Sequence, residues 1–209
     1  MGLAFVYNSS MAKPYLNPEY FSTYSEFIPN FDKFCEVQST LPPVVIRRNK
    51  LKCSRPAFES FLKRHVDNGA FKAYRPVSYV EECYEIDAAK AIVGGLLEHH
   101  VGLFYIMGAS SILPVMALDP KPGEHVLDMS AAPGGKTCLI AQMMNDQGLL
   151  VSNEPSHLRR RVLKANLDRM GVSNTFVTSF LGEAFPTSQM FDRILLDGPC
   201  SAEGSLRGG

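Results

Sequence analysis

Three short stretches hold residue types that could do chemistry together. The first is Asp128-Met129-Ser130-Ala131-Ala132-Pro133-Gly134-Gly135-Lys136-Thr137, a carboxylate closing an apolar run, then small residues, then a lysine opening a helical pattern. Small side chains let a ligand approach the main chain, Gly134 and Gly135 can take positive φ and present N–H groups, and Pro133 stiffens the bend. The second is Glu154, at the tip of the next apolar run. An acid about 20 residues past such glycines is the acceptor for ribose hydroxyls in doubly wound nucleoside-binding folds. The third is Asp197-Gly198-Pro199-Cys200-Ser201, which puts a hydrogen-bonding carboxylate and a thiol after another apolar run. A cysteine there can act as nucleophile or as acid and base if its pKa is lowered. Taken alone, Cys200 is as well read as a small buried hydrophobe; its place after Asp-Gly-Pro favours the chemical reading.

Two ligand classes compete for the glycine-bearing bend, beside the bland reading of a tight strand-to-helix turn. Gly135-Lys136-Thr137 imitates the end of a phosphate-binding P-loop, and Arg193-Ile194-Leu195-Leu196-Asp197 imitates the Mg²⁺-binding strand of such nucleotidases. The P-loop pattern, however, needs a glycine where Ser130 stands. A nucleoside cofactor without a triphosphate, held by Asp128, the bend and Glu154, fits better.

The elements that must position these residues are legible as texture. From about residue 110 the chain alternates short apolar strands with helices: a strand at 125–129, a helix at 137–145, a strand at 149–154, a helix at 157–170 closed by Gly171, and strands at 175–180 and 193–197. Continuous apolar strands between helices predict a parallel sheet with right-handed crossovers. Upstream, the pattern predicts helices at 31–37, 56–66 and 87–100 and a strand at 44–47, the second helix capped by Ser54. We divide the chain into an irregular arm (1–30), a small basic α+β region (31–85) and an α/β domain (86–209).

Of the 209 residues, 45% are hydrophobic and 20% charged, which excludes a disordered chain. No apolar run is long enough for a membrane-spanning helix, and no basic segment precedes the first apolar residues as a secretory signal requires. Cys35, Cys53, Cys83, Cys138 and Cys200 are scattered without a CxxC pair, so they read as reduced intracellular thiols and imply no metal site. Net charge is zero, yet nine basic residues against two acidic ones lie between Arg47 and Arg75. That segment reads either as a phosphate-facing surface or as a solvated helix face.

At this point a family resemblance enters. GASSILPVMALDPKPGEHVLDMSAAPGGKT, NTFVTSFLGEAFP and FDRILLDGPCSAEG resemble the Fmu/Sun family of S-adenosylmethionine-dependent RNA cytosine-C5 methyltransferases, in the branch acting on ribosomal RNA. The run Arg47-Arg48-Asn49-Lys50-Leu51-Lys52 is similar to the family's R-x-N-x-L-K entry to its RNA-binding region. The resemblance implies a Rossmann-like class I methyltransferase sheet of seven strands in the order 3-2-1-4-5-7-6. Four of these are visible, and the chain reads as truncated before the family's Thr-Cys-Ser nucleophile and as inactive by itself.

It further implies S-adenosylmethionine as cofactor, bound by Asp128, Ser130, Ala131, Ala132, Pro133, Gly134, Gly135, Lys136, Glu154, Arg159 and Asp197. Catalysis would involve Asp197, on the cytosine edge, and Cys200, which matches the cysteine that helps release the product. RNA would meet Arg47, Arg48, Asn49 and Lys52, and the protein would be nucleolar in a eukaryote or cytoplasmic otherwise. Leu181 stands where the family has an aspartate for the adenine amino group, with Glu183 two positions on. That departure keeps open a non-catalytic RNA-binding or ribosome-assembly module on the same fold.

Overall fold

In the computed structural model of the chain, residues 22–38, 42–186 and 190–198 are described. The described residues divide into two units, residues 22–38 and 42 in the first and the described part of Pro43–Gly198 in the second. Within the first, a 3₁₀ turn at Ser22–Tyr24 precedes helix α1 (Phe31–Gln38). Phe31 and Phe34 stack on one side of α1, and Lys33 pairs with Glu36 across one turn at 2.8 Å.

The second unit carries two four-stranded sheets. The antiparallel one contains β1 (Val44–Arg48), β2 (Tyr74–Pro76), β3 (Cys83–Ile86) and β4 (Phe104–Ile106) in the order β2-β3-β1-β4. Helix α2 (Arg55–Asp67) lies between β1 and β2 in the chain. It starts where Ser54 Oγ accepts the Ala57 N–H and a proline occupies the first turn, a combination that satisfies or removes N–H groups a helix start leaves unpaired. Its buried Phe58 and Phe61 meet Phe104 of β4 in ring contacts of 6.3 and 5.8 Å, and Ile46, Leu62, Tyr84 and Ile86 complete that core. The helix expected over 87–100 is instead two short ones, α3 (Lys90–Gly95) and α4 (Leu97–His100), because Leu96 is extended (φ −68°, ψ 142°) directly after the glycine pair. Glycine's entropic penalty makes Gly94-Gly95 the weakest point of the helical pattern.

After α5 (Leu113–Leu118) comes the parallel sheet: β5 (His125–Asp128), β6 (Leu149–Asn153), β7 (Thr175–Thr178) and β8 (Arg193–Leu195), connected through α6 (Gly135–Met143) and α7 (His157–Met170). Its order is β7-β6-β5-β8, all parallel. This is the 3-2-1-4 part of the expected topology. Gly171 ends α7 in the left-handed conformation, as anticipated.

One face of the antiparallel sheet joins the parallel sheet in a shared core. Val45 and Cys83 pack in one cluster with Ile112, Val115, Val126, Leu139, Ile140 and Leu150. The changeover between sheets falls after β4, whereas a division at 85/86 would cut β3. Strand β1 is therefore interior in its sheet and covered on both faces, alternate side chains going to the α2 core and to the shared core.

Candidate functional site

The bend after β5 is built from the inside. Asp128, almost fully buried, accepts the Thr137 hydroxyl at 2.7 Å and the Ser130 N–H at 3.3 Å. Burial pushes its carboxyl up to about 6, against the pull of those hydrogen bonds and of Lys136. The same Thr137 hydroxyl lies 3.2 Å from the Ala131 carbonyl. The Ala131 N–H reaches the Asn153 carbonyl at 2.9 Å, which fastens the bend to the tip of β6. Gly134 has φ +108° and forms the left-handed entry to α6; a Cβ there would be strained and would lie 3.2 Å from Leu163 Cδ1. Gly135 needs its missing side chain for another reason, since its Cβ would sit 3.1 Å from the Tyr105 ring.

A cavity of about 290 Å³ opens at this bend, near the lower end of the range for small-molecule sites. Ser130, Ala131, Ala132, Pro133, Gly135 and Lys136 line it together with Asp197, and the opposite wall is Tyr105, Met107, Gly108 and Ser111. Lys136 Nζ is bonded to Asp197 Oδ2, so the first and third chemical stretches meet. Asp197 is half-exposed and follows β8, placing a carboxylate at the carboxyl edge of the parallel sheet, where ligands of open α/β folds bind.

Other expected contacts go elsewhere. Glu154 is buried at the end of β6; Oε1 accepts the Ser156 N–H at 2.9 Å and Oε2 faces Arg159 at 3.3 Å. Arg159 also donates to the Ala132 carbonyl at 2.8 Å, bracing the bend from α7. Neither of these, nor Asp128 or Gly134, lines the cavity. Leu181 is exposed, as is Glu183 in the following 3₁₀ turn. Cys200 lies outside the described residues.

Of the four expected RNA contacts, the structure buries Arg47, Arg48 and Asn49 and leaves Lys52 exposed, each with an internal partner. Arg47 is 1% exposed, with Nη1 on the Gly135 carbonyl at 3.0 Å. Arg48 ion-pairs with Glu82 at 2.5 Å and donates to the Cys53 carbonyl. Asn49 is completely buried. Lys52, although exposed, spends its ammonium on the carbonyls of Val101 (3.1 Å) and Arg169 (2.7 Å). The reason is strand position: Arg47 shares the β1 face of Val45, which points into the shared core rather than to solvent.

Sequence reasoning missed Asn153 and Tyr105. Asn153 donates to the carbonyls of Met129 (3.3 Å) and Phe180 (2.9 Å) and accepts from the Phe180 N–H and the Thr178 hydroxyl, each at 2.9 Å. It thereby clamps the tips of three parallel strands. Its position directly before Glu154 was the available signal. Tyr105 belongs to a three-residue strand too short to show alternation. Among the described residues, no group of three or more His, Cys, Asp or Glu is arranged to hold a metal ion.

The order of the parallel sheet and the cavity at its carboxyl edge define a Rossmann-like α/β domain. Residues 115–208 match the family described as 16S rRNA methyltransferase RsmB/F. It is 39% identical over 176 residues to the 26S rRNA (cytosine-C(5))-methyltransferase nsun-1 of Caenorhabditis elegans, covering 83% of this chain and 26% of that protein. Against the ribosomal RNA small subunit methyltransferase F of Vibrio parahaemolyticus, identity is 43% over 168 residues, covering 78% and 34% respectively. A crystal structure of a methyltransferase homolog protein from Pyrococcus horikoshii superposes with a TM-score of 0.71 at 34% identity, covering 84% of this chain and 56% of that one. The chain thus spans roughly a quarter to a third of the length of these two curated relatives.

Proposed function

We propose that the chain carries the methyl-donor half of an enzyme that transfers a methyl group from S-adenosylmethionine to C5 of a cytosine in ribosomal RNA. The observation that carries this reading is the convergence of the Ser130–Lys136 bend and Asp197 on one cavity, with the Lys136 ammonium on the Asp197 carboxylate. The lining suits a nucleoside-linked amino acid: main-chain groups on one side, Tyr105 and Met107 as apolar walls, and one cation and one anion for polar ends.

S-adenosylmethionine would supply an electrophilic methyl group. The chain's own part is to hold the donor against the bend and to present Asp197 toward the amino edge of the base, where a fixed carboxylate steadies developing charge. Cytosine C5 is a weak nucleophile, so the reaction needs a thiolate adding at C6 and leaving after the C5 proton is removed. In this family's scheme that thiol belongs to a Thr-Cys-Ser motif, and Cys200 assists release. For RNA, exposed Lys50, Lys52, Lys63 and Lys72 of the basic segment are the phosphate contacts we assign in place of buried Arg47, Arg48 and Asn49. In a eukaryotic cell this activity belongs to the nucleolus, and otherwise to the cytoplasm. No helix among the described residues is long and apolar enough to cross a membrane.

Calorimetric titration tests the reading. S-adenosylmethionine is expected to bind, and Asp197→Ala to weaken it, whereas ATP with Mg²⁺ is expected to give no heat. Binding of ATP with Mg²⁺ in place of S-adenosylmethionine would overturn the assignment. Robust methylation of ribosomal RNA that survives Cys200→Ala would refute the assigned roles. Exposed Leu181, at the position of the family's adenine-binding aspartate, favours a second reading, a non-catalytic RNA-binding module. RNA binding without any S-adenosylmethionine heat would select it.

A further inference from the structure

The guanidinium of Arg47 is an expensive way to fill space. Nη1 donates to the Gly135 carbonyl at 3.0 Å and to Met107 Sδ at 3.4 Å, and the group lies 5.8 Å from the centre of the Tyr105 ring. Nε and Nη2 are buried without a hydrogen-bond partner among the described residues. A hydrophobe of similar volume would avoid stranding those two nitrogens, and such replacements are often neutral or stabilising. Packing therefore does not account for an arginine here. What it adds is a charge-assisted bond to the carbonyl of Gly135, the first residue of α6 and part of the cavity wall.

The surroundings make that bond stiff. Two residues along β1's path, Asn49 uses its whole hydrogen-bonding capacity: its amide donates to Gly102 and Met170 carbonyls, both at 2.8 Å, and its oxygen accepts from the Leu51 N–H and Gln142 Nε2 at 3.1 and 3.0 Å. Those contacts tie β1 to α6 and to the end of α7. Arg169 lies 5.4 Å from the centre of the same Tyr105 ring. It also holds Asn166 Oδ1, while the Asn166 amide donates to the Pro133 carbonyl at 2.9 Å. The bend is thus gripped at Pro133 from α7 and at Gly135 from β1.

We propose that Arg47 is a positioning residue for the methyl-donor loop: through the Gly135 carbonyl, strand β1 of the antiparallel sheet fixes residues 130–136 in the conformation that shapes the cavity. The mechanical claim stands on geometry; its meaning for cofactor affinity rests on the function proposed above.

Arg47→Met removes the charge and keeps most of the volume, and Arg47→Lys keeps the charge but loses the guanidinium fork. Amide hydrogen exchange in the cofactor-free chain is the primary readout. Arg47→Met is expected to speed exchange of the Ala131 and Cys138 amides, which donate to the Asn153 and Gly134 carbonyls, about tenfold, the effect of losing one charge-assisted hydrogen bond, while residues 149–153 of β6 stay protected. Arg47→Lys is expected to recover part of that protection. S-adenosylmethionine affinity should fall with loop protection rather than with melting temperature, and the salt dependence of RNA binding should be unchanged.

Equal exchange in wild type and Arg47→Met would overturn the proposal. So would a uniform rise across both segments, or failure of both variants to fold, since each marks a residue needed only for overall stability. A wild-type chain that shows the exchange pattern but binds no S-adenosylmethionine would refute the functional reading and leave the positioning role standing.

Discussion

Glu82 and Asp128 are carboxylates withdrawn from water, one in each sheet, and the two sheets treat them in opposite ways. Glu82, the residue before β3, takes hydrogen bonds from Arg48 and Arg55 at 2.5 and 2.7 Å. The Arg48 hydrogen bond, with help from Arg55 and against partial burial, pulls its carboxyl down to about 2. Asp128, at the end of β5, is more deeply buried and has a hydroxyl and an N–H for partners, so desolvation wins and its carboxyl rises to about 6. The antiparallel sheet uses charge to close its own structure. At the carboxyl edge of the parallel sheet the cation, Lys136, goes to Asp197 at the cavity, leaving Asp128 as an internal brace.

The largest expected effect bears on whether the two sheets melt together. Phe58→Ala empties the aromatic core between α2 and the antiparallel sheet and should cost about 3–5 kcal/mol, typical for a buried phenylalanine. Thermal denaturation followed by near- and far-ultraviolet circular dichroism should still show one transition, because the sheets share a core. Two resolved transitions would separate the halves and weaken the comparison.

Next comes the acid limb. Because Glu82 is depressed from 4.5 to about 2, its contribution is complete above pH 4.5 and lost as pH falls toward 2. In urea titrations Glu82→Gln should flatten wild type's loss of stability across that window. A third, smaller effect has the opposite sign. Asp128 is raised from 3.8 to about 6, so its contribution is complete below pH 3.8 and lost as pH rises through about 6. Stability of Asp128→Asn relative to wild type should therefore increase between those pH values; a decrease would contradict the burial argument. Least of all should Arg64→Gln matter. Its pair with Glu98, 3.3 Å apart, sits on a largely exposed arginine, and the change should stay within about 0.5 kcal/mol in the same titrations.

Reading the residues alone recovered much of the parallel half, for a local reason. Val126-Leu127 and Leu149-Leu150-Val151 are apolar runs bounded by glycine turns, and Gly171 marks the end of α7, so each signal sits within a few residues of the feature it specifies. The antiparallel half was read poorly because β2 and β4 have three residues each and β3 four. Runs of that length show no period. Within the site, Ser130–Pro133, Gly135, Lys136 and Asp197, named together from the residues, line one cavity. Asp128 was read as a ligand-facing acid, yet it turns inward to Thr137, a choice invisible without the path of the bend.

Sequence alone therefore determined the parallel α/β class and the small-residue bend, which follow from local patterning, while the order of the parallel strands came from the family resemblance. Tertiary structure alone decided where Arg47 and Asn49 went. A basic strand at a sheet edge faces solvent, and the same strand in the interior is covered on both faces. Which of these holds depends on Glu85 and Tyr105, the residues paired across from Val45 and Arg47, far away in the chain.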